Sequence, residues 1–265
     1  MMKYKLIAAD MDGTLLNDDS ELSQRTKAAI LQTVESGAIF VTATGRPLQG
    51  AKMVNSLISR DMPVIVLNGA AVFMWESREC LFRKYLDIEL AKEVYDIAAS
   101  SSIPVISWTV EGLWASCECD MTVRYRDFYG IEMRIINSID ELADEGLYKL
   151  LWLDSPENIT RLQAEMREYF HGRLNCHASR PFMLEFVSLT ADKGSAMAEL
   201  GSIYGIGRSE MIAIGDGFND ISMLEYAGLG VAMENAPDEV KAVCGHVTLS
   251  NNDDGAALVM EKYFL

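Results

Sequence analysis

Short apolar runs alternate along this chain with longer amphipathic stretches. Leu6-Ile7-Ala8-Ala9 is an unbroken apolar run ending in Asp10, and Tyr4–Ala9 is predicted to be a strand buried on both faces, as in a parallel sheet. Ser23 stands where a helix cap belongs. Ala29, Ile30 and Val34 share one face of a helix to about Glu35, and Gly37 stops it. Ala38–Ala43 repeats the strand pattern, and Pro47 is suited to the first position of the next helix. Pro63–Leu67 is a third strand, closed by the turn signal Asn68-Gly69. Strand, helix, strand, helix, strand is the order of a doubly wound parallel sheet.

From residue 84 the pattern changes. Asp87–Ser101 has helical periodicity, while Pro104–Val110 and Leu113–Cys119 alternate like hairpin strands joined at Glu111-Gly112. Ser138 and Glu141 have the spacing of a capping box. Tyr148–Leu153 reads as a strand, Ser155-Pro156 opens a helix to about Phe170, and Arg173–Ala178 and Met183–Val187 read as two more strands. Helices interspersed with hairpins predict an α+β unit with a partly antiparallel sheet. Then the first pattern returns. Helices are expected at Lys193–Tyr204, Asp220–Ala227, Ala236–Val243 and Asp254–Tyr263, and strands at Met211–Ile214, Leu229–Ala232 and Val247–Leu249. Residues 1–83 and 188–265 are therefore expected to form one α/β, doubly wound, Rossmann-like core, interrupted by an inserted α+β domain over 84–187. No internal repeat or low-complexity linker is present.

With 49% hydrophobic residues among 265, a full core can be built. The net charge of −16 argues against nucleic acid or an anionic membrane as partner, because both are held by basic patches. It leaves room for a small anionic substrate, since a bound cation inverts the local charge. Cys80, Cys117, Cys119, Cys176 and Cys244 are an odd, scattered set, as expected of free thiols in a reducing, cytoplasmic setting. Cys117-x-Cys119 with Cys176-His177 is a conceivable metal set against the plainer reading of small packed side chains. No secretory leader or membrane-length apolar window is apparent. The fifteen methionines read as soft core filling. Monomer and homo-oligomer are equally compatible with the sequence.

Four features fall at the carboxyl ends of predicted core strands, where ligands bind in such sheets. They are Asp10-x-Asp12, Thr44-Gly45-Arg46, Lys193 at a helix start, and Gly215-Asp216-Gly217-x-Asn219-Asp220. Each alone has a plain reading as a cap, a turn or a solvated lysine. Together they offer carboxylates for a hard cation and a nucleophile, with a lysine and small polar groups for an anion.

Asp10-Met11-Asp12-Gly13-Thr14, Thr44 before Gly45-Arg46, Lys193-Gly194 and Gly215-Asp216-Gly217-Phe218-Asn219-Asp220 resemble, in order, the four motifs of the haloacid dehalogenase (HAD) superfamily. An insertion of this length between the second and third motifs is similar to the type IIB cap of the Cof-type phosphatases. So are Gly230-Val231-Ala232-Met233-Glu234-Asn235-Ala236 and Ser250-Asn251-Asn252-Asp253-Asp254-Gly255. Met11 stands where leucine is commoner, a volume-conserving exchange.

The resemblance implies a Mg2+-dependent phosphatase acting on small phosphorylated metabolites, such as sugar phosphates or phosphorylated cofactors. Asp10 would attack phosphorus, form an aspartyl-phosphate and ligate Mg2+. Asp12 would act as general acid and base and lend its backbone carbonyl to the metal, and Asp216 would be the second carboxylate ligand. Thr44, Gly45, Lys193 and Asn219 would bind the phosphoryl group. Asp220 is expected either to hold a metal-bound water, to orient Lys193, or merely to sit at a helix start. Asn68 is open between substrate contact and plain turn, and Arg46 between substrate and a core acid. In the insertion, Trp108, Trp114, Arg124, Arg126, Trp152, His177 and Arg180 are the candidates for reading the substrate, with core packing or solvated surface as their alternative. His171 and His177 read as surface histidines. A phosphomutase on the same core and a non-catalytic phospho-ligand binder are the competing functions.

Overall fold

A computed structural model describes residues 3–109 and 112–264. Val110 and Glu111, at the predicted hairpin end, lie outside the described residues. The chain divides into two compact units, one running to Arg83 and again from Ala191, the other Lys84–Thr190. Ser188–Thr190 thus go with the second unit.

The first unit begins with β1 (Leu6–Asp10), α1 (Gln24–Glu35), β2 (Ile39–Ala43), α2 (Lys52–Asn55), β3 (Pro63–Val66), β4 (Ala71–Met74) and β5 (Cys80–Arg83). The second unit follows: α3 (Ile88–Ser100), β6 (Val105–Thr109), β7 (Leu113–Ala115), α4 (Asp120–Tyr129), β8 (Met133–Ile135), β9 (Leu147–Leu153), α5 (Pro156–Tyr169), β10 (Asn175–Arg180) and β11 (Met183–Val187). The chain then returns to the first unit through α6 (Lys193–Tyr204), β12 (Met211–Gly215), α7 (Ile221–Tyr226), β13 (Leu229–Ala232), α8 (Asp238–Ala242), β14 (His246–Val247) and α9 (Gly255–Phe264).

All five residues of β1 are buried, so the strand must be covered on both faces. It lies inside an eight-stranded sheet of order β14-β13-β12-β1-β2-β3-β4-β5. On one face, Leu6, Ala8, Val41, Ala43 and Ala213 pack with Ala196, Met197 and Leu200 of α6 and with Met223 and Leu224 of α7. From β1 the chain builds outward through β2 and β3, then returns to β1's other side as β12. That reversal is the topological switch point of a doubly wound sheet, where ligands collect beyond the strand ends.

The sheet is parallel from β14 to β3, as expected, but β3-β4-β5 run antiparallel. The sequence reading has no counterpart for β4 or β5. The residues of β5 are half-exposed at the sheet edge or exposed, so they lack the apolar run that marks the inner strands. Pro47 precedes a short 3-10 turn, Leu48–Ala51, and not an α-helix.

In the second unit, six strands are ordered β10-β11-β9-β6-β7-β8, antiparallel except for the β7-β8 pair. Ala91, Val94 and Ala98 of α3 and Ile159 and Leu162 of α5 pack against Trp152, Leu184 and Phe186. A separate cluster joins Ile106, Trp108, Leu151, Leu153 and Met183 to Tyr125 of α4. Strand β7 ends at Ala115, short of the predicted Cys119, and Cys119 instead caps α4, a helix absent from the sequence reading.

The second unit also buries an ion pair. Lys149 Nζ donates to Glu185 Oε1 at 3.1 Å, with both side chains almost fully enclosed. Glu185 Oε2 is buried without a hydrogen bond, and His177 Nε2 lies 3.9 Å from it. Burial works to raise the Glu185 carboxyl, but Lys149 and His177 hold it below its ordinary value. His177 itself is depressed by burial, against the pull of Glu185. Losing one member of such a pair leaves a charge unmatched, whereas an apolar pair of similar volume does not. Lys149→Met alone should cost about 3–5 kcal/mol in urea denaturation, and the double variant Lys149→Met/Glu185→Leu should recover most of it. A double variant no more stable than the single one would contradict this.

Candidate active site

Register brings the predicted motifs together. Asp10 pairs with Ala43 across β1 and β2, so Thr44 and Gly45 leave β2 just beyond it. On the other side Ala9 pairs with Ile214, so Gly215 and Asp216 leave β12 at the same level. Gly13 turns the chain at φ +78, and a Cβ there would run into the Asp216 carboxylate. Thr14 Oγ1 donates to Asp216 Oδ1 at 2.8 Å and fixes the two loops side by side.

The centre of the site is Lys193, the first residue of α6, whose side chain has no exposed surface. Its Nζ donates to Asp10 Oδ1 and to Asp220 Oδ1, both at 2.6 Å. A cation at a helix N-terminus faces the unfavourable end of the dipole, and burial lowers its affinity for a proton. The two carboxylates outweigh burial and hold the ammonium above its ordinary pKa. Asp220 Oδ2 accepts the backbone N–H of both Asp216 and Gly217 at 2.9 Å. Asp220 therefore orients Lys193 and ties down the loop carrying Asp216, which is more than a helix-start acid would do.

Asp12 points elsewhere. Its side chain is more than half exposed and forms a two-pronged ion pair with Arg46, Nε donating to Oδ2 at 2.9 Å and Nη2 to Oδ1. Arg46 thus takes a core acid as partner. Thr44 is fully buried, and its hydroxyl accepts the Arg46 N–H at 3.1 Å, leaving its own proton to donate. Asn219 is exposed, and its amide donates to Asn68 Oδ1 at 3.0 Å. That same oxygen lies where a Cβ on Gly45 would sit. Leu67, Asn68 and Gly69 all have positive φ, and Gly69 presses its backbone against Asp192, the cap of α6. The Asn68-Gly69 turn therefore meets Gly45, Asn219 and the start of the Lys193 helix.

Sequence reasoning gave the tail asparagines no task. Asn235 Nδ2 donates to the Gly13 carbonyl at 2.8 Å, and its Oδ1 accepts the Asn251 N–H at 3.1 Å. Asn251 Nδ2 donates to the Leu16 carbonyl and to Asp18. They buttress the Asp10–Leu16 turn from behind. Asn-rich turn signals in the sequence mark them, but their target is more than 200 residues away in the chain.

Asp10, Asp216 and Asp220 each offer a carboxylate oxygen, all within 4.8 Å of one another. Burial, together with the Asp220 charge, raises the Asp10 carboxyl well above its ordinary value despite Lys193. Burial pushes Asp216 up to about 6, with the Thr14 hydrogen bond opposing and Asp220 adding. Three carboxylates facing one ammonium leave negative charge unmatched, and the donors are all hard oxygen. The set fits a divalent cation such as Mg2+. Asp220 has both oxygens committed to Lys193 and the loop backbone, whereas Asp10 Oδ2 accepts no hydrogen bond among the described residues and Asp216 Oδ2 is met only by Asn235 Nδ2 at 3.5 Å, so Asp10 and Asp216 are the side chains better placed to hold it. No cysteine joins a metal set among the described residues. Cys176 is buried in the α3/α5 core, its thiol pushed up to about 12, while Cys117 is exposed.

Of the second-unit candidates, Trp108 and Trp152 are core, Trp114 is packed under Arg134, and Arg126 pairs with Asp127. Arg124 and Arg180 line a cavity in that unit. No helix among the described residues is long and apolar enough to cross a membrane.

The model of the haloacid dehalogenase-like hydrolase family matches residues 7–260. YxeH of Bacillus subtilis, named as a phosphatase, is 32% identical over 267 residues, covering 99% of each chain. YitU of the same organism, a 5-amino-6-(5-phospho-D-ribitylamino)uracil phosphatase, is 28% identical, covering 99% of this chain and 98% of its own. A haloacid dehalogenase-like hydrolase from Bacteroides thetaiotaomicron has a similar structure, with a TM-score of 0.87 at 30% identity, over 98% of this chain and 99% of that one.

The uneven charge balance predicts opposite effects on the metal-free protein. In EDTA, Lys193→Met should lower stability by about 3–5 kcal/mol, because two buried carboxylates lose their cation. Asp216→Asn should raise it at neutral pH. The parent carboxyl, lifted to about 6 in the fold, carries its penalty fully above that pH and sheds it as protons bind toward pH 4. The gain should therefore shrink as pH falls through that window, as read from thermal midpoints. Equal signs for the two variants at neutral pH would contradict the balance.

Proposed function

The chain belongs to the haloacid dehalogenase-like hydrolases and is a phosphatase of that family, and from that premise we propose that it hydrolyses small phosphorylated metabolites through an aspartyl-phosphate on Asp10, with Mg2+ as cofactor. The observation that carries this reading is the convergence of the Asp10, Asp216 and Asp220 carboxylates at the switch point of the sheet, with a buried lysine bound to Asp10 and Asp220. A carboxylate nucleophile and a dianionic monoester repel each other, so both must be neutralised where they meet. Mg2+, held by Asp10, Asp216 and the Asp12 backbone carbonyl, would supply Lewis-acid neutralisation of the phosphoryl oxygens.

The chain's own groups do the rest. Asp10 attacks phosphorus as the bond to the leaving oxygen breaks, and Lys193 matches the charge that gathers on the phosphoryl group. The Thr44 O–H, the Gly45 N–H and the Asn219 side-chain N–H donate hydrogen bonds to the phosphoryl oxygens. Asp12 donates a proton to the departing alkoxide. It then takes one from the water that attacks the aspartyl-phosphate, releasing phosphate and restoring Asp10. In its ion pair with Arg46 the Asp12 carboxylate is more than half exposed, so solvent screens the pair and its exchange for a substrate oxygen is accessible.

The second unit is assigned as the cap that reads the leaving group. Substrates of the sugar-phosphate or phosphorylated-cofactor kind are supported by YitU, whose name specifies a phosphorylated ribityl pyrimidine. The net charge of −16 argues against nucleic acid and membrane partners. Five free cysteines suit a cytoplasmic setting.

A screen of phosphate monoesters with detection of inorganic phosphate tests the reading. EDTA should silence release and Mg2+ restore it, and Asp12→Ala should lower kcat by roughly 100-fold or more for alkyl esters. Activity indifferent to chelation would remove the metal. Transfer to a second sugar hydroxyl without phosphate release would make the protein a mutase.

A further inference from the structure

A cavity of about 460 Å³ lies within the second unit, and none of the groups assigned to phosphoryl transfer lines it. Helix α4 forms one wall with Met121, Arg124, Tyr125 and Phe128, the i, i+3, i+4, i+7 stripe of a single helix face. The β9–α5 connection and the β10–β11 turn, with Phe182 and Met183, form the other walls. The volume falls in the range that takes a small organic ligand.

The walls combine two features seldom left unused. Phe128 is 63% exposed and Phe182 41% exposed, so two large rings stand in water at one cavity. Beside them are two guanidiniums that form no ion pair with a carboxylate among the described residues. Arg124 has no hydrogen-bond or ion-pair partner among the described residues, and Arg180 lies over the Phe128 ring at 5.1 Å. Elsewhere on the surface Arg25, Arg161 and Arg173 pair with Glu261, Glu165 and Glu93. The cavity's one carboxylate, Asp154, is engaged by the Ser155 N–H at 2.7 Å and by Asn158 Nδ2 at 3.0 Å. In a chain of net charge −16, unmatched guanidiniums at an apolar cavity mark a place complementary to an anion with an apolar body.

We propose that this cavity is a binding site for a small aromatic or heteroaromatic acid. Its ring lies against Phe128, Phe182 and the two methionines, and its carboxylate, sulfonate or phosphate is held by Arg124 and Arg180. A neutral aromatic would leave both arginines without an anion. Free inorganic phosphate would leave the rings in water.

Anilinonaphthalene sulfonate, a ring system with one acid group, is a direct probe for the full chain by fluorescence titration. Native protein should bind it saturably at a single site. Arg124→Gln/Arg180→Gln alters only exposed side chains and should keep the native thermal midpoint while weakening binding roughly 10-fold or more. Phenylnaphthylamine, the same ring body without the acid, should bind both proteins alike. Inorganic phosphate should not displace the sulfonate. Absence of saturable binding, equal affinity in the double variant, or displacement by inorganic phosphate would each overturn the proposal. The last would move the site to the catalytic centre and leave the phosphatase reading standing.

Discussion

A lysine ammonium with no exposed surface keeps its charge only where carboxylates replace water, and Lys193 has two, each at 2.6 Å. One comes from the end of β1, the other from the loop after β12, and the lysine itself opens α6. The three elements are far apart in sequence, so the contact forms only when β1 and β12 are in register. It also needs the close approach of Gly69 to Asp192, which seats the start of α6. Asp220 carries the constraint further, because its second oxygen holds the backbone of Asp216 and Gly217. The same geometry leaves Asp10 and Asp216 with negative charge that Lys193 does not match, which suits the strand ends to a hard cation.

The doubly wound core was legible because its inner strands are apolar runs buried on both faces and stopped by glycine or acid. β1, β2 and β12 carry that pattern. Where burial is partial, the pattern fades. β5 is a short edge strand ending in Arg83. α4 is capped by Cys119 in place of the usual Ser or Asp, and its stripe is interrupted by Arg124, so neither periodicity nor capping chemistry announces it. The left-handed backbone at Leu67 has no sequence signal, and with it the position of Asn68 at the site was hidden.

Residue types suggested a chemistry for the site more readily than they gave its internal partners. Asp10, Thr44, Lys193 and Asp216 fall at strand or helix ends whose positions follow from the strand pattern. Whether Asp220 is a cap, a water holder or the partner of Lys193 depends on a single contact that local sequence does not encode. The same holds for Arg46, which turns to Asp12, and for Asn235 and Asn251, which brace the first loop across the length of the chain. In the second unit, composition pointed to tryptophans and arginines alike. Packing separates them: Trp108 and Trp152 hold the core, while Arg124 and Arg180 face a cavity.

The proposal that Asp10 is the nucleophile that takes up the phosphoryl group is tested most directly by trapping the phosphoenzyme. An aryl phosphate has a leaving group that needs no proton, so Asp12→Ala should still be phosphorylated by it but hydrolyse the intermediate slowly. Acid quench with a radiolabelled aryl phosphate, followed by peptide mapping, should recover the label on the peptide containing Asp10, and borohydride reduction should convert that residue to homoserine. Phosphate release with no label at Asp10, or with label at another residue, would contradict the assignment.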